Sequence, residues 1–173
     1  MGLLDQLSGV LSQYTSGGAQ PPADVHAHFD QVAQAAPQGV VAEGLAAAFR
    51  SNQTPAFGQM VSSLFGQSNG DQKAGLLNQL LASAGPGVLS QLAGGGALAG
   101  LLAGGAKQIT PEQAAQISPE AVQQLATHAE KADPSIIDKA SSFYAQHTTL
   151  VKTLGGAALS VALAKVAERA SQK

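Results

Sequence analysis

Cysteine is missing from this chain, which excludes disulfides, thiolate metal sites and cysteine-borne lipid anchors. Tryptophan is missing too, and aromatic residues make up only 4% of the 173 positions. The core must therefore be built from Ala, Leu, Val and Gly. Small side chains bury little area each, at about 25 cal/mol per Å² of apolar surface. Stability then depends on close packing or on a partner that completes the core. Charge is scarce as well: 12% of residues are ionised, about half the usual share of a soluble domain. Solvent-facing positions fall to Gln, Ser, Thr and Asn, and such a surface resists association less well than a charged one. The net charge is −2 and the nine basic residues are scattered singly. No clustered basic face exists to displace counterions from phosphate, so nucleic acid is not expected as a partner. Alternating β-branched and polar runs with hairpin turns are also lacking, and with them any strand signal.

Helix signals fill the space left. Four cap–proline pairs mark expected helix starts: Thr54-Pro55, Thr110-Pro111, Ser118-Pro119 and Asp133-Pro134. In each, the first side chain accepts from an orphan amide, and proline takes the first helical position, where its missing donor costs nothing. Thr110-Pro111-Glu112-Gln113 also fits a capping box. Apolar stripes at helical spacing run through Phe57, Met60, Val61, Leu64 and Phe65, and through Val122, Leu125, Ala126 and Ala129. Two more join Ile136, Ile137, Ala140, Phe143 and Tyr144, and Val25, Phe29, Val32 and Ala36. All four are expected to face a core. The expected fold is all-α, a multi-helix bundle of short helices, as one compact unit or as two helical lobes.

The longest peculiarity is Ala74 to Ala106, thirty-three residues without an ionisable side chain, nine of them glycine. Gly85-Pro86-Gly87 is expected to break any helix there. Beyond it, Gly96, Gly100 and Gly104 recur every four residues and would share one helical stripe, where a second backbone could approach closely. Leu154 to Ala164 is apolar on all sides, with Leu154, Leu159, Val161 and Leu163 as its large residues, and belongs in the middle of a bundle or within an interface. These seven residues are the interface candidates. The stripe's partner could equally be the rest of this chain. A membrane reading, with 88–106 as a helix-pairing span, stands as the alternative. Against it count the polar Ser90 and Gln91 and six glycines in nineteen residues.

Gly2-Leu3-Leu4-Asp5-Gln6-Leu7 recurs as Gly75-Leu76-Leu77-Asn78-Gln79-Leu80, and GVLSQ occurs at both Gly9–Gln13 and Gly87–Gln91. Either an old duplication or convergence in a Leu/Gly/Gln-biased composition accounts for it. A composition change near Ala106 separates a Gly/Leu-rich helical region, 1–106, from a more charged C-terminal helical region, 107–173.

Chemistry-bearing constellations are thin. His26 and His28, two apart, point to nearly opposite sides of a helix and do not chelate together. Each has a carboxylate four residues away, His28 with Asp24 and His26 with Asp30, a spacing that more often makes a solvated helix face than a metal site. His128 and His147 have no carboxylate at helical spacing and are expected at the surface or its edge. No serine sits in a G-x-S-x-G elbow. The 66–73 segment does not match a P-loop, and Gly94-Gly95-Gly96 is not a dinucleotide fingerprint. Asp133 and Asp138 read as a helix cap and a first-turn acid. No catalytic residue, cofactor or metal is expected, and an enzyme is not.

The opening MGLLDQL, the Gly/Leu/Gln-rich middle and the stretch ITPEQAAQISPEAVQQLATHAEKADPSIID resemble bacterial proteins of the YidB-like family. The portion from Phe143 onward departs from that pattern. The resemblance implies a small helical protein of the bacterial cytoplasm and carries over no catalytic or binding residue. The opening residues also lack the basic start and apolar run of a leader, and Gln6 departs from the myristoylation pattern. The expected function is non-enzymatic self-association in the cytoplasm, as a closed oligomer or a filament, with the chain itself as partner.

Overall fold

The structure, a computed structural model, describes residues 3–15, 22–92, 100 and 108–172. Among the described residues there are ten α-helices, one 3-10 turn and no strand. In chain order the helices are α1 (Leu3–Thr15), α2 (Val25–Ala35), α3 (Gln38–Arg50), α4 (Phe57–Gln67), α5 (Gly70–Leu92), α6 (Pro111–Ala115), α7 (Pro119–Ala132), α8 (Ile136–Ala145), α9 (Thr148–Val151) and α10 (Gly156–Ser171). The fold is all-α. Contacts divide the chain into two units: Met1–Pro55 with Ser141–Lys173, and Ala56–Ala140. The expected boundary near Ala106 is thus replaced by two crossings, one at each end of 56–140. The physical reason is that α5, before residue 106, packs against α6 and α7, which follow it.

In unit 1 the central element is α10, which packs against α1, α2 and α3. It buries Ala158, Leu159, Ala162, Leu163, Val166 and Ala167, one face at helical spacing. Gly155, at φ 90°, divides this helix from the preceding 3-10 turn of Lys152–Leu154, so Leu154 lies outside the helix expected to begin with it. The closest helix approach is at Gly44 of α3. A Cβ there would stand 2.7 Å from the Ala162 carbonyl oxygen and 2.9 Å from the Val166 Cγ2. Gly44 and Ala48 share one stripe of α3, as Ala158 and Ala162 do on α10. Small residues at that spacing let two backbones come close.

Unit 2 repeats the device. Its α4 buries the whole expected stripe of Phe57, Met60, Val61, Leu64 and Phe65, and α7 buries Val122, Leu125, Ala126 and Ala129. Their crossing is set by Gly58, where a Cβ would meet the Gln123 carbonyl oxygen at 2.8 Å and Thr127 Oγ1 closer still. The side chain of Asn78 on α5 closes a two-point bridge to Ile109: its Oδ1 accepts from the Ile109 N–H at 2.8 Å, and its Nδ2 donates to the Ile109 carbonyl at 3.2 Å.

Local signals hold at two of the four cap–proline pairs as written. Thr110 and Gln113 form the full capping box, and Ser118 Oγ accepts from the Ala121 N–H. At the third, Asp133 accepts from the Ser135 N–H and hydroxyl and pairs with Lys139 at 3.1 Å, in the turn just before α8. These partners, the Ser135 hydroxyl first, hold its carboxyl below the ordinary aspartate value. Thr54-Pro55 is corrected. The helix starts two residues later with Ala56 as its cap, and Thr54 Oγ1 instead donates backward to the Ala48 and Ser51 carbonyls, closing α3. Gly85 breaks α5 as expected, at φ 73°.

These contacts set the expected cost of substitutions. Gly44→Ala should lose up to about 2 kcal/mol of unfolding free energy, since overpacking against backbone costs roughly 1–3 kcal/mol and a better helix former returns only about 1. Gly9→Ala, in an α1 position with nothing within 4 Å, should gain about 0.5–1 kcal/mol. Chemical denaturation of the pair reads the difference in sign. By the same measurement, Asn78→Ala should cost about 1–3 kcal/mol, because it strips both partners from the Ile109 peptide groups.

Candidate functional site

The feature of unit 1 with the form of a site is a groove of about 660 Å³ among α1, α2, α3 and α10. It exists because of how its walls are joined. Pro37 holds Ala36 in extended conformation (ψ 147°), so α2 and α3 meet at a two-residue corner instead of continuing as one helix. The floor is apolar: Leu7 and Leu11 of α1, Val32 of α2 and Val166 of α10, all buried. One wall is the corner itself, where the small and apolar Ala35, Ala36, Pro37, Gly39 and Val40 line the groove. Ala35, Pro37 and Gly39 are exposed, and Ala36 and Val40 half-buried.

At the rim, Glu43 and Arg169 form a two-point pair, with Nε to Oε2 at 3.1 Å and Nη2 to Oε1 at 3.4 Å. Both side chains are about half exposed, 47% and 54%, so the pair contributes at most about 1 kcal/mol to folding. Its effect is electrical: one acid and one base leave the rim neutral but strongly dipolar. Neither residue stood out in the sequence. Gly44, next to Glu43, and Val166, one turn before Arg169, make the α3–α10 crossing that brings them together.

The seven expected interface residues are dispersed. Gly96 and Gly104 lie outside the described residues. Gly100 is exposed, and a Cβ there would meet nothing within 4 Å, so no close helix crossing is built on it among the described residues. Leu159 and Leu163 are 0% exposed inside unit 1, which places them in the bundle and withdraws them from any surface. Val161 and Leu154 keep part of their surface, and Val161 lines a shallow depression of about 340 Å³ beside Tyr14 and Lys165. Close glycine packing does occur in this protein, but at Gly44 and Gly58. The same four-residue spacing of small residues that marked 96–104 was present at Gly44/Ala48 and Ala158/Ala162.

The polar candidates also find structural partners. His28 Nδ1 lies 2.8 Å from the Tyr14 hydroxyl, with the rings edge to face, joining α1 to α2. Burial, and after it the Asp24 carboxylate, push the Tyr14 phenol above its ordinary pKa. Asp30 pairs with Lys152 at 3.0 Å. His128 is half-buried, and His147 stands at the start of α9 with its ring against Phe143. Among the described residues no group of three His, Asp or Glu side chains gathers where a metal ion could be held. No helix among them is long and apolar enough to cross a membrane. The proposed span 88–106 falls mostly outside the described residues. Searches against protein-family models, curated proteins and solved structures find no match to the chain.

One buried titratable group stands apart. The Tyr144 ring packs beside Phe49 and Phe143 at the centre of unit 1, and its hydroxyl has no hydrogen-bond partner among the described residues. Burial alone drives its pKa far upward, so it stays a neutral phenol. An unpaired buried hydroxyl opposes folding. Tyr144→Phe should therefore raise stability by up to about 1–2 kcal/mol, read as a higher midpoint of thermal unfolding.

Proposed function

We propose that this chain is a non-enzymatic helical protein of the cytoplasm that acts by association, with copies of itself as first partner. The observation that carries the reading is the unit 1 groove, a concavity of about 660 Å³ with an apolar floor and an ion-paired rim. A concave, apolar-floored surface left unfilled among the described residues is the kind of surface that a partner covers. Composition supports the same reading. Few charges stand on the surface to oppose contact between copies, and the net charge of −2 gives little long-range repulsion. The resemblance of the opening and middle to YidB-like proteins adds a helical frame to the proposal and no site.

A particle mass measured by light scattering at two concentrations tests it. The expected result is a mass above the 17.3 kDa of one chain, rising with concentration toward a fixed multiple. A 17.3 kDa species at both concentrations would refute self-association.

A further inference from the structure

We propose that the Asn69-Gly70 pair is this chain's site of spontaneous covalent modification, where Asn69 is converted to aspartate and isoaspartate, and that the capping box at the start of α5 holds the reaction back. The inference concerns unit 2 alone and does not rest on self-association. The chain holds three asparagines: Asn52 and Asn78 are each followed by glutamine, and Asn69 by glycine. The difference matters because the nucleophile is the backbone nitrogen of the following residue. A glycine there has no Cβ to obstruct the approach. Asn69 is solvent-exposed, between the end of α4 and the start of α5, so water and base reach it.

The chemistry needs only solvent. A base removes the Gly70 amide proton, and the nitrogen attacks Asn69 Cγ. A new C–N bond forms, and the side-chain NH2 takes a proton from water and leaves as ammonia. The product is a five-membered succinimide ring. Water then adds to one of its two carbonyls. Breaking the new bond to Cγ leaves aspartate. Breaking the original peptide bond leaves isoaspartate, with the backbone rerouted through Cβ and Cγ.

Three hydrogen bonds oppose ring closure. Asn69 Oδ1 accepts from the Gln72 N–H at 2.9 Å, and the Asn69 N–H donates to Gln72 Oε1 at 3.0 Å. The Asn69 carbonyl accepts from the Lys73 N–H at 2.9 Å. Together they make Asn69 the cap of α5, with its side chain and its peptide plane both held. The nearly planar ring eclipses Asn69 about Cα–Cβ and draws Cγ toward Gly70, so the box must open first. Each member of the pair also has a structural reason to be there. Asparagine caps the helix, and Gly70 lies so close to α6 that a Cβ would stand 3.2 Å from the Pro111 Cβ. The two products differ in consequence. Aspartate keeps an acceptor at the cap and adds a charge that the helix dipole favours. Isoaspartate inserts a methylene into the backbone beside Pro111 and displaces the start of α5.

The test incubates the full chain at mildly alkaline pH, native and unfolded in urea, and follows each asparagine by peptide mapping and mass spectrometry. Isoaspartate is scored with protein isoaspartyl methyltransferase, which esterifies it and leaves aspartate untouched. Asn69 should react well ahead of Asn52 and Asn78, and more slowly in the native chain than in the unfolded one. Gln72→Ala, with circular dichroism to confirm that it folds, should speed the native reaction roughly two- to fivefold, the Boltzmann weight of the exposed hydrogen bond it removes. Asn69→Ser keeps a cap and should abolish both the mass change and the methyl acceptance. Asn69→Asp should unfold at or above the wild-type temperature, and the purified isoaspartate form below it. Reaction at Asn52 or Asn78 as fast as at Asn69 overturns the inference. So do equal rates at Asn69 in the native and unfolded chain, a comparison that needs no variant. A Gln72→Ala chain that folds and reacts no faster than the wild type overturns it as well.

Discussion

Two close backbone crossings hold this protein's helices in place. In unit 1, Gly44 lets α3 come against the Ala162 carbonyl and Val166 of α10. In unit 2, Gly58 does the same for α4 against Gln123 and Thr127 of α7. A chain with so few aromatic residues has little area to bury per side chain, so it gains its dispersion energy by shortening the distance between helices. Neither crossing leaves room for a methyl group. The longer side chains of the same helices are buried: Leu159 and Leu163 on α10, Met60 and Val61 on α4, Leu125 on α7.

The groove is a consequence of the first crossing. Gly44 seats α10 against α3, and Glu43, its neighbour, then lies within reach of Arg169, which stands one turn beyond Val166. The Ala36–Pro37 corner ends α2 and starts α3 in a new direction, and so forms one wall of the groove. Packing and the candidate site therefore share residues, and a change at Gly44 would disturb both. The polar groups that looked most like chemistry in the sequence instead serve as ties, His28 to Tyr14 and Asp30 to Lys152.

Much of the helix pattern was legible in the chain. The stripes of α4 and α7 are buried to the last residue, the box at Thr110 forms as written, and Gly85 interrupts α5 at positive φ. Those features depend on spacing within one helix or on a few bonded neighbours. The errors share a cause. Thr54 had a choice of backbone partners and took the carbonyls behind it, because α3 ends there with acceptors to satisfy. Leu154 looked continuous with the apolar run after it until Gly155 turned the chain. Gly44 and Gly58 were passed over for the denser glycines of 96–104, since a small residue marks a close approach only when a second helix arrives.

Sequence by itself determined that this is an all-α protein, where most of its helices lie and which of their faces are apolar, because those follow from local periodicity and capping. Tertiary structure alone decided that residues 1–55 share a unit with 141–173, that Gly44 and Gly58 are the crossing points, and that Glu43 meets Arg169 at the rim of an apolar groove. Each of these joins positions far apart in the chain, up to 126 residues for the ion pair. No local rule specifies such a pairing; it comes from which helix faces pack without a void.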